Sequence, residues 1–443
     1  MRPGMTDPQA SENTALVGML STRCLLESAY LRLLSGGKVQ VSSKNGTIRW
    51  CVTGTRRTIL NERRIRANEF EVERLGRLQH NWLNMLRLGL ATLVLCSHSV
   101  PLTYGRAAEA EHEWLMLLTR RQATGGDIAV SLFFIISGVL VTRSLLRNRD
   151  IRSYLSRRWR RIMPGFIGAY LFSVFIVPLI ASQTRAEALI ALTGIGIPVH
   201  LFMLSTLHIP FIDAFSALPY PRVVNGSAWT LPYEVWCYLL VPVLAGLGIF
   251  SRRGAMLTLW ATTLLLLALT PALAVQWPDA LVYLFGLPEL WPRLLACFLG
   301  GATIAVCKGR LPHGTALRWL AAGGIVGTAI LGQGFVVALA LGGTLLLWDP
   351  LHNTAERPTT RSADRSYGVY LYAFPVQQLI VSQSGGAISA LTLTLLALPC
   401  TYGLAWLSWR FIEAPALRGV RKQRRQTEVS LVPLREELGQ LQR

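Results

Sequence analysis

Charge is scarce in this sequence, and acidic charge is scarcer than basic. Only 15% of the 443 residues are charged, and 24 Asp and Glu face 44 Lys and Arg, a net charge of +20. With 51% hydrophobic residues and a mean hydropathy of +0.39, the chain is too apolar for an ordinary soluble protein of its length. The basic excess does not point to nucleic acid. It lies between apolar runs, as the positive-inside rule requires, and no aromatic residues interleave with it to stack bases. The seven cysteines (Cys24, Cys51, Cys96, Cys237, Cys297, Cys307, Cys400) are scattered without CxxC or CxxH spacing, which excludes a disulfide framework and a zinc site, so no metal is expected. The alternating ten-residue segments of a β-barrel are lacking. The first ten residues lack the n-region and h-region of a signal peptide, so the first span is expected to direct insertion itself.

What the chain does have is long apolar runs. Segments 82–104, 127–146, 164–182, 229–249, 255–275, 291–307, 317–332, 334–349, 366–383 and 388–411 read as spans, and backbone in lipid requires them to be helices. A further apolar piece, 189–206, is read as re-entrant or surface-lying, because counting it as a span would put Arg252 and Arg253 outside. The fold class is thus an all-α polytopic membrane protein of about ten transmembrane helices with both termini cytoplasmic. Residues 1–79 form a basic extension with weak helical periodicity around ILNERRIRANEFEVERLGRL. It reads equally as a regulatory or membrane-surface extension and as an over-long gene start. The membrane domain covers 80–415 and a basic tail covers 416–443. The loop between the second and third spans, with Arg143, Arg147, Arg149, Arg152, Arg157, Arg158, Arg160 and Arg161, is expected on the cytoplasmic side.

Two ionisable groups interrupt the first span. Arg87 and His98 are 11 residues apart, which leaves them only about 20° from one helical face and about 16 Å apart along the axis. Taken singly, Arg87 fits a side chain snorkelling to the inner headgroups and His98 a bond to a neighbouring helix; the shared face favours a functional cavity. Glu234, one turn into the fourth span behind Trp229 and Tyr233, reads either as an interfacial acid or as a carboxylate that orients His98. YLSRRWRRIMPGF (154–166) marks the cytoplasmic side, and its arginines also suit a polyanionic ligand.

Seven pieces in order, the Arg87 and His98 spacing, LFFIISGVLVT (132–142), RRWRRIMP (157–164), NGSAWTLPYEVWCY (225–238), RLLACFLGG (293–301), SYGVYLYAFPVQQ (366–378) and FIEAP (411–415), resemble the membrane-bound acyltransferase-3 family. That family includes O-acetyltransferases of bacterial lipopolysaccharide, Nod factors and exopolysaccharides. The resemblance implies a multi-pass protein of the bacterial inner membrane that moves an acyl group, acetyl in most members, from cytoplasmic acyl-CoA to a hydroxyl of a carbohydrate or glycolipid. It implies that His98 is the essential base, Arg87 its companion and Glu234 the acid of the tryptophan-rich motif. Arg158 and Arg161, with Arg157, would hold the donor phosphates, and Asn225, Trp229 and Tyr233 would line the approach of the sugar. A covalent acyl-histidine relay is an alternative chemistry, and a transporter or flippase using the same Arg, His and Glu is the alternative function. Three departures stand out. Asn84 replaces the acid that commonly lies three residues before the arginine, so a charge pair from that position is lost; Ser131 replaces an acid before Phe133; and Ala373 replaces a histidine.

Overall fold

The computed structural model describes residues 38–44, 47–53, 82–148, 150–181, 215–270, 277–307, 314–352 and 364–417. The expected segment 189–206, the helical periodicity before the first span, the basic residues 308–310 and Arg357, and the tail from 418 onward lie outside them. The chain divides into two units, Met1–Leu78 and Gln79–Arg443. In the first, β1 (Lys38–Lys44) and β2 (Thr47–Thr53) pair antiparallel, with Lys38 opposite Thr53 and Lys44 opposite Thr47. This hairpin lies in the N-terminal extension, outside the segments read as spans, and the all-α expectation holds for the described residues of the membrane domain. The hairpin's signal is in the sequence, since Asn45-Gly46 between two alternating, β-branched runs is the strongest short-range hairpin cue.

The described part of the second unit is helical. It comprises α1 (Trp82–Tyr104), α2 (Gly125–Asn148), and α3 (Ile151–Leu171), which continues through a π turn, Phe172–Ile176, into Val177–Ala181. A 3₁₀ turn, Gly226–Thr230, leads into α4 (Leu231–Gly246). Then come α5 (Arg253–Leu269), the short α6 (Asp279–Phe285), α7 (Trp291–Val306), α8 (Thr315–Leu331) and α9 (Phe335–His352). The last are α10 (Ser366–Gln383) and α11 (Ala390–Ser408), which ends in a π turn, Trp409–Glu413. Each expected span falls on a helix. Five helical segments, Trp82–Tyr104, Gly125–Arg147, Gly226–Gly246, Pro288–Val306 and Ala390–Leu417, are long and apolar enough to cross a membrane by length and composition.

One expected loop is helix instead. Arg152 to Arg161 lie on α3, whose start is set by Asp150: its carboxylate accepts from the Arg152 and Ser153 amides at 3.1 and 3.2 Å. The helix is amphipathic there, with Tyr154 and Ile162 buried and Trp159 exposed. Lys and Arg in an amphipathic helix satisfy the positive-inside rule as well as a loop does, so loop charge alone could not separate the two.

α2 and α7 meet backbone to backbone. A Cβ on Gly138 would lie 2.0 Å from the Phe298 carbonyl oxygen, and one on Gly301 would lie 2.0 Å from that of Ile135. Small residues let membrane helices approach this closely. Two sequence motifs, LFFIISGVLVT and RLLACFLGG, thereby find a packing role. Because Asp127 and Arg293 pair earlier on the same two helices, α2 and α7 run in the same direction.

Candidate active site

Both ionisable groups of α1 face α10 and its lead-in. Arg87 pairs with Asp364, two residues before α10 begins. The His98 ring packs edge-on against Phe374 within α10, with ring centres 5.3 Å apart. Beside the His98 contact Gln377 donates to the Leu95 carbonyl (2.9 Å) and to Ser99 Oγ (2.7 Å). These bonds pin α1 to its neighbour along its C-terminal half.

At the Arg87 end four charges meet. Asp364 Oδ2 accepts from Arg87 Nη1 and also from Arg161 Nη2 at 2.7 Å. Arg161 Nη1 lies 3.5 Å from Glu413 Oε2 in the π turn after α11, and the Arg161 guanidinium sits over the Tyr367 ring. Two cations and two carboxylates cancel, which is what a poorly solvated cluster needs. Burial alone would raise the Asp364 carboxyl, but Arg87 and Arg161, with two hydrogen bonds from Ser366, outweigh it and pull it down to about 2. Arg87 therefore does have a carboxylate partner despite Asn84. It comes from a position 277 residues away, where the sequence offered no local sign.

The other two arginines expected at the donor site, Arg157 and Arg158, both reach Ser144 on α2. Arg158 Nη2 reaches Ser144 Oγ at 3.4 Å, its guanidinium lies over Tyr238, and its buried Nε has no hydrogen-bond partner. Arg157 Nη2 reaches the Ser144 carbonyl at 3.4 Å.

Around His98 the structure departs from the pairing expected with Glu234. The carboxylate whose charge reaches the imidazole is that of Asp127, in the first turn of α2. Glu234 instead accepts from the Tyr238 hydroxyl on its own helix. Asp127 is held by Arg293 Nη1 at 2.6 Å and by the Thr124 hydroxyl at 2.9 Å. It lies one turn before Ser131, so the second span does supply an acid, four residues earlier than the family pattern. His98 Nδ1 is buried and has no hydrogen-bond partner. Behind the imidazole, Phe374 is fixed by Gly226, where a Cβ would come within 2.5 Å of the ring, and by Tyr220, edge-on at 5.6 Å.

The three sugar-lining candidates differ in what they leave free. Asn225 is fully buried; its amide donates to the Leu371 carbonyl (2.9 Å) and its oxygen caps Ser227 (3.1 Å). Tyr233 is buried too, with its hydroxyl on the Leu287 carbonyl at 3.0 Å. Only Trp229, edge-on to Tyr233 at 5.8 Å, keeps part of its surface open.

Comparison with known proteins identifies the family. The O-acetyl transferase of Shigella phage Sf6 is 26% identical over 338 residues, which cover 75% of this chain and 95% of that protein. Nodulation protein 10 of Rhizobium leguminosarum bv. viciae is 26% identical over 313 residues, 65% of this chain and 82% of the relative. The peptidoglycan O-acetyltransferase OatA of Listeria monocytogenes is 25% identical over 66% of this chain, which spans about half (51%) of that relative's length. No solved structure matches. Residues 80–410 match the acyltransferase domain of the acyltransferase-3 family over most of the chain, so this protein belongs to that family and is a membrane acyltransferase.

Proposed function

We propose that the protein is a ten-span O-acetyltransferase of the bacterial inner membrane that moves an acetyl group from cytoplasmic acetyl-CoA to a hydroxyl of an exported or surface carbohydrate. The observation that carries this reading is the placement of Arg87 and His98 on one helix, with Arg87 bound into the cluster of arginine-bearing α3 and with His98 half-buried, its Nδ1 buried and unpartnered. The relatives' names, peptidoglycan O-acetyltransferase among them, support a carbohydrate acceptor. Membership in an acyltransferase family weighs against a transporter.

The donor phosphates sit on Arg157 and Arg158, whose buried Nε is still free to donate, while Arg161 is braced by Asp364 and Glu413. The pantetheine arm passes Arg87 toward His98. As the acceptor oxygen attacks the thioester carbonyl, His98 takes the hydroxyl proton; the CoA thiolate leaves and the proton returns to it. A neutral imidazole can accept a proton and return it, which suits both transfers. The negative charge of Asp127 favours the imidazolium formed in the first, and Trp229 lines the sugar approach. General-base roles are worth about 10²- to 10⁴-fold. The test is His98→Ala in a deletion strain, with insertion checked by immunoblot and glycan O-acetyl content measured by mass spectrometry. Acetylation at the native level would refute the assignment.

A further inference from the structure

We propose that Asp364 is a positioning residue that sets Arg87 and Arg161 at a single point, coupling the helix of His98 to the helix of the donor arginines. The inference rests on the donor role just proposed for α3. One oxygen, Oδ2, accepts from both guanidinium groups. The other, Oδ1, is fixed by the Ser366 hydroxyl at 2.6 Å and the Ser366 amide at 3.3 Å, so the carboxylate cannot rotate away. The two arginine side chains are only 21% and 18% exposed, so without Asp364 two poorly solvated cations would repel each other.

Among the described residues, no other acid contacts both arginines. Glu413 reaches Arg161 alone, at 3.5 Å and without hydrogen-bond geometry. Asn84 lies three residues before Arg87 on α1, the spacing at which a carboxylate would meet an arginine, but it carries an amide. Asp364 thus joins two helices through one carboxylate. Its two arginines have separate duties, and this separates a positioning role from a merely structural one: Arg87 lies on the path to His98, while Arg161 stands beside the donor site.

The experiment uses membrane vesicles from the deletion strain carrying the full-length native chain, Asp364→Asn, Asn84→Asp with Asp364→Asn, or Ser366→Ala. Each is supplied with radiolabelled acetyl-CoA, and label entering glycan is followed against donor concentration. Displacement of a catalytic group by about 1 Å costs on the order of 100-fold, so Asp364→Asn is expected to lower kcat by at least about tenfold and to raise the KM for acetyl-CoA. Adding Asn84→Asp gives Arg87 a carboxylate again and none to Arg161, so kcat should recover while KM stays high. Ser366→Ala should move both in the same direction by a few-fold. Native kinetics in Asp364→Asn overturn the proposal, as does a loss that Asn84→Asp leaves untouched. If Asp364→Asn does not accumulate, native kinetics in Ser366→Ala overturn it. A native chain unable to use acetyl-CoA would refute the donor reading instead. Asp364 would then be judged by melting temperatures, where Asn84→Asp must restore part of what Asp364→Asn loses.

Discussion

Replacing Gly301 by alanine puts the closest helix contact of the bundle to the test. The new Cβ would lie 2.0 Å from the Ile135 carbonyl oxygen and 2.9 Å from the Val139 nitrogen, both backbone atoms that no rotamer can move. Carbon and carbonyl oxygen settle no closer than about 3.3 Å, so α2 and α7 must part by more than about 1 Å. Overpacking of this kind costs about 1–3 kcal/mol and at times more. The displacement also reaches the chemistry. Asp127 and Arg293 both lie eight residues earlier, about 12 Å along their helices, and their 2.6 Å pair has little slack. With Asp127 displaced, the carboxylate that acts on His98 is displaced too. Gly323→Ala is the control, because nothing lies within 4 Å of its Cβ; replacing helical glycine there should be neutral or stabilising by up to about 1 kcal/mol. Melting in detergent, followed by size-exclusion chromatography after heating, together with acetyl transfer in vesicles, reads both effects. If Gly301→Ala melts and transfers like Gly323→Ala, the close-contact argument is wrong.

Two pH predictions come from groups outside the spans. Glu109, which begins the short helical turn Glu109–His112 after α1, is pushed up to about 7, chiefly by burial and then by the charges of Asp127 and Glu113, against the pull of Arg106. Its contribution to stability is therefore intact below the ordinary 4.5 and is lost as pH rises through about 7. Glu109→Gln should melt higher than the native chain at pH 8, by an amount on the order of 1 kcal/mol once solvent screening is allowed for, and equally at pH 4; equal melting at pH 8 would refute this. Asp364 behaves in the opposite sense: its stabilisation, about 2 kcal/mol, is complete above 3.8 and disappears as pH falls toward 2. Asp364→Asn should thus melt lower than the native chain at pH 7, and the gap should close in acid.

The helices were legible because lipid imposes length and apolarity on each one separately, and hydropathy measures both. The phase of Arg87 and His98 was legible for a similar reason, since both lie on one helix. Partnership between helices was not. Asp364 and Glu413 meet Arg161 from 203 and 252 residues away, and no periodicity links such positions. The RLLACFLGG and FIEAP pieces marked Arg293 and Glu413 as parts of a pattern without indicating what they touch. Glu234 was matched with His98 because both were placed toward the outer side, but its neighbour Tyr238 is one turn away on the same helix and is the nearer partner. Asn225 and Tyr233 are expected on the sugar approach from the resemblance, and nothing local shows that their donors go to the backbone carbonyls of Leu371 and Leu287.

The π turn Trp409–Glu413 gives Glu413 its aim. A π turn holds one residue more than the α-helix allows, so everything beyond it is advanced by about 100° around the axis. Reverting that turn to ordinary α-helical winding would swing the carboxylate of Glu413 about a quarter-turn from Arg161 without unfolding α11. The end of α11 thus acts as a phase shifter: a single inserted residue decides whether the cluster holds two negative charges or one.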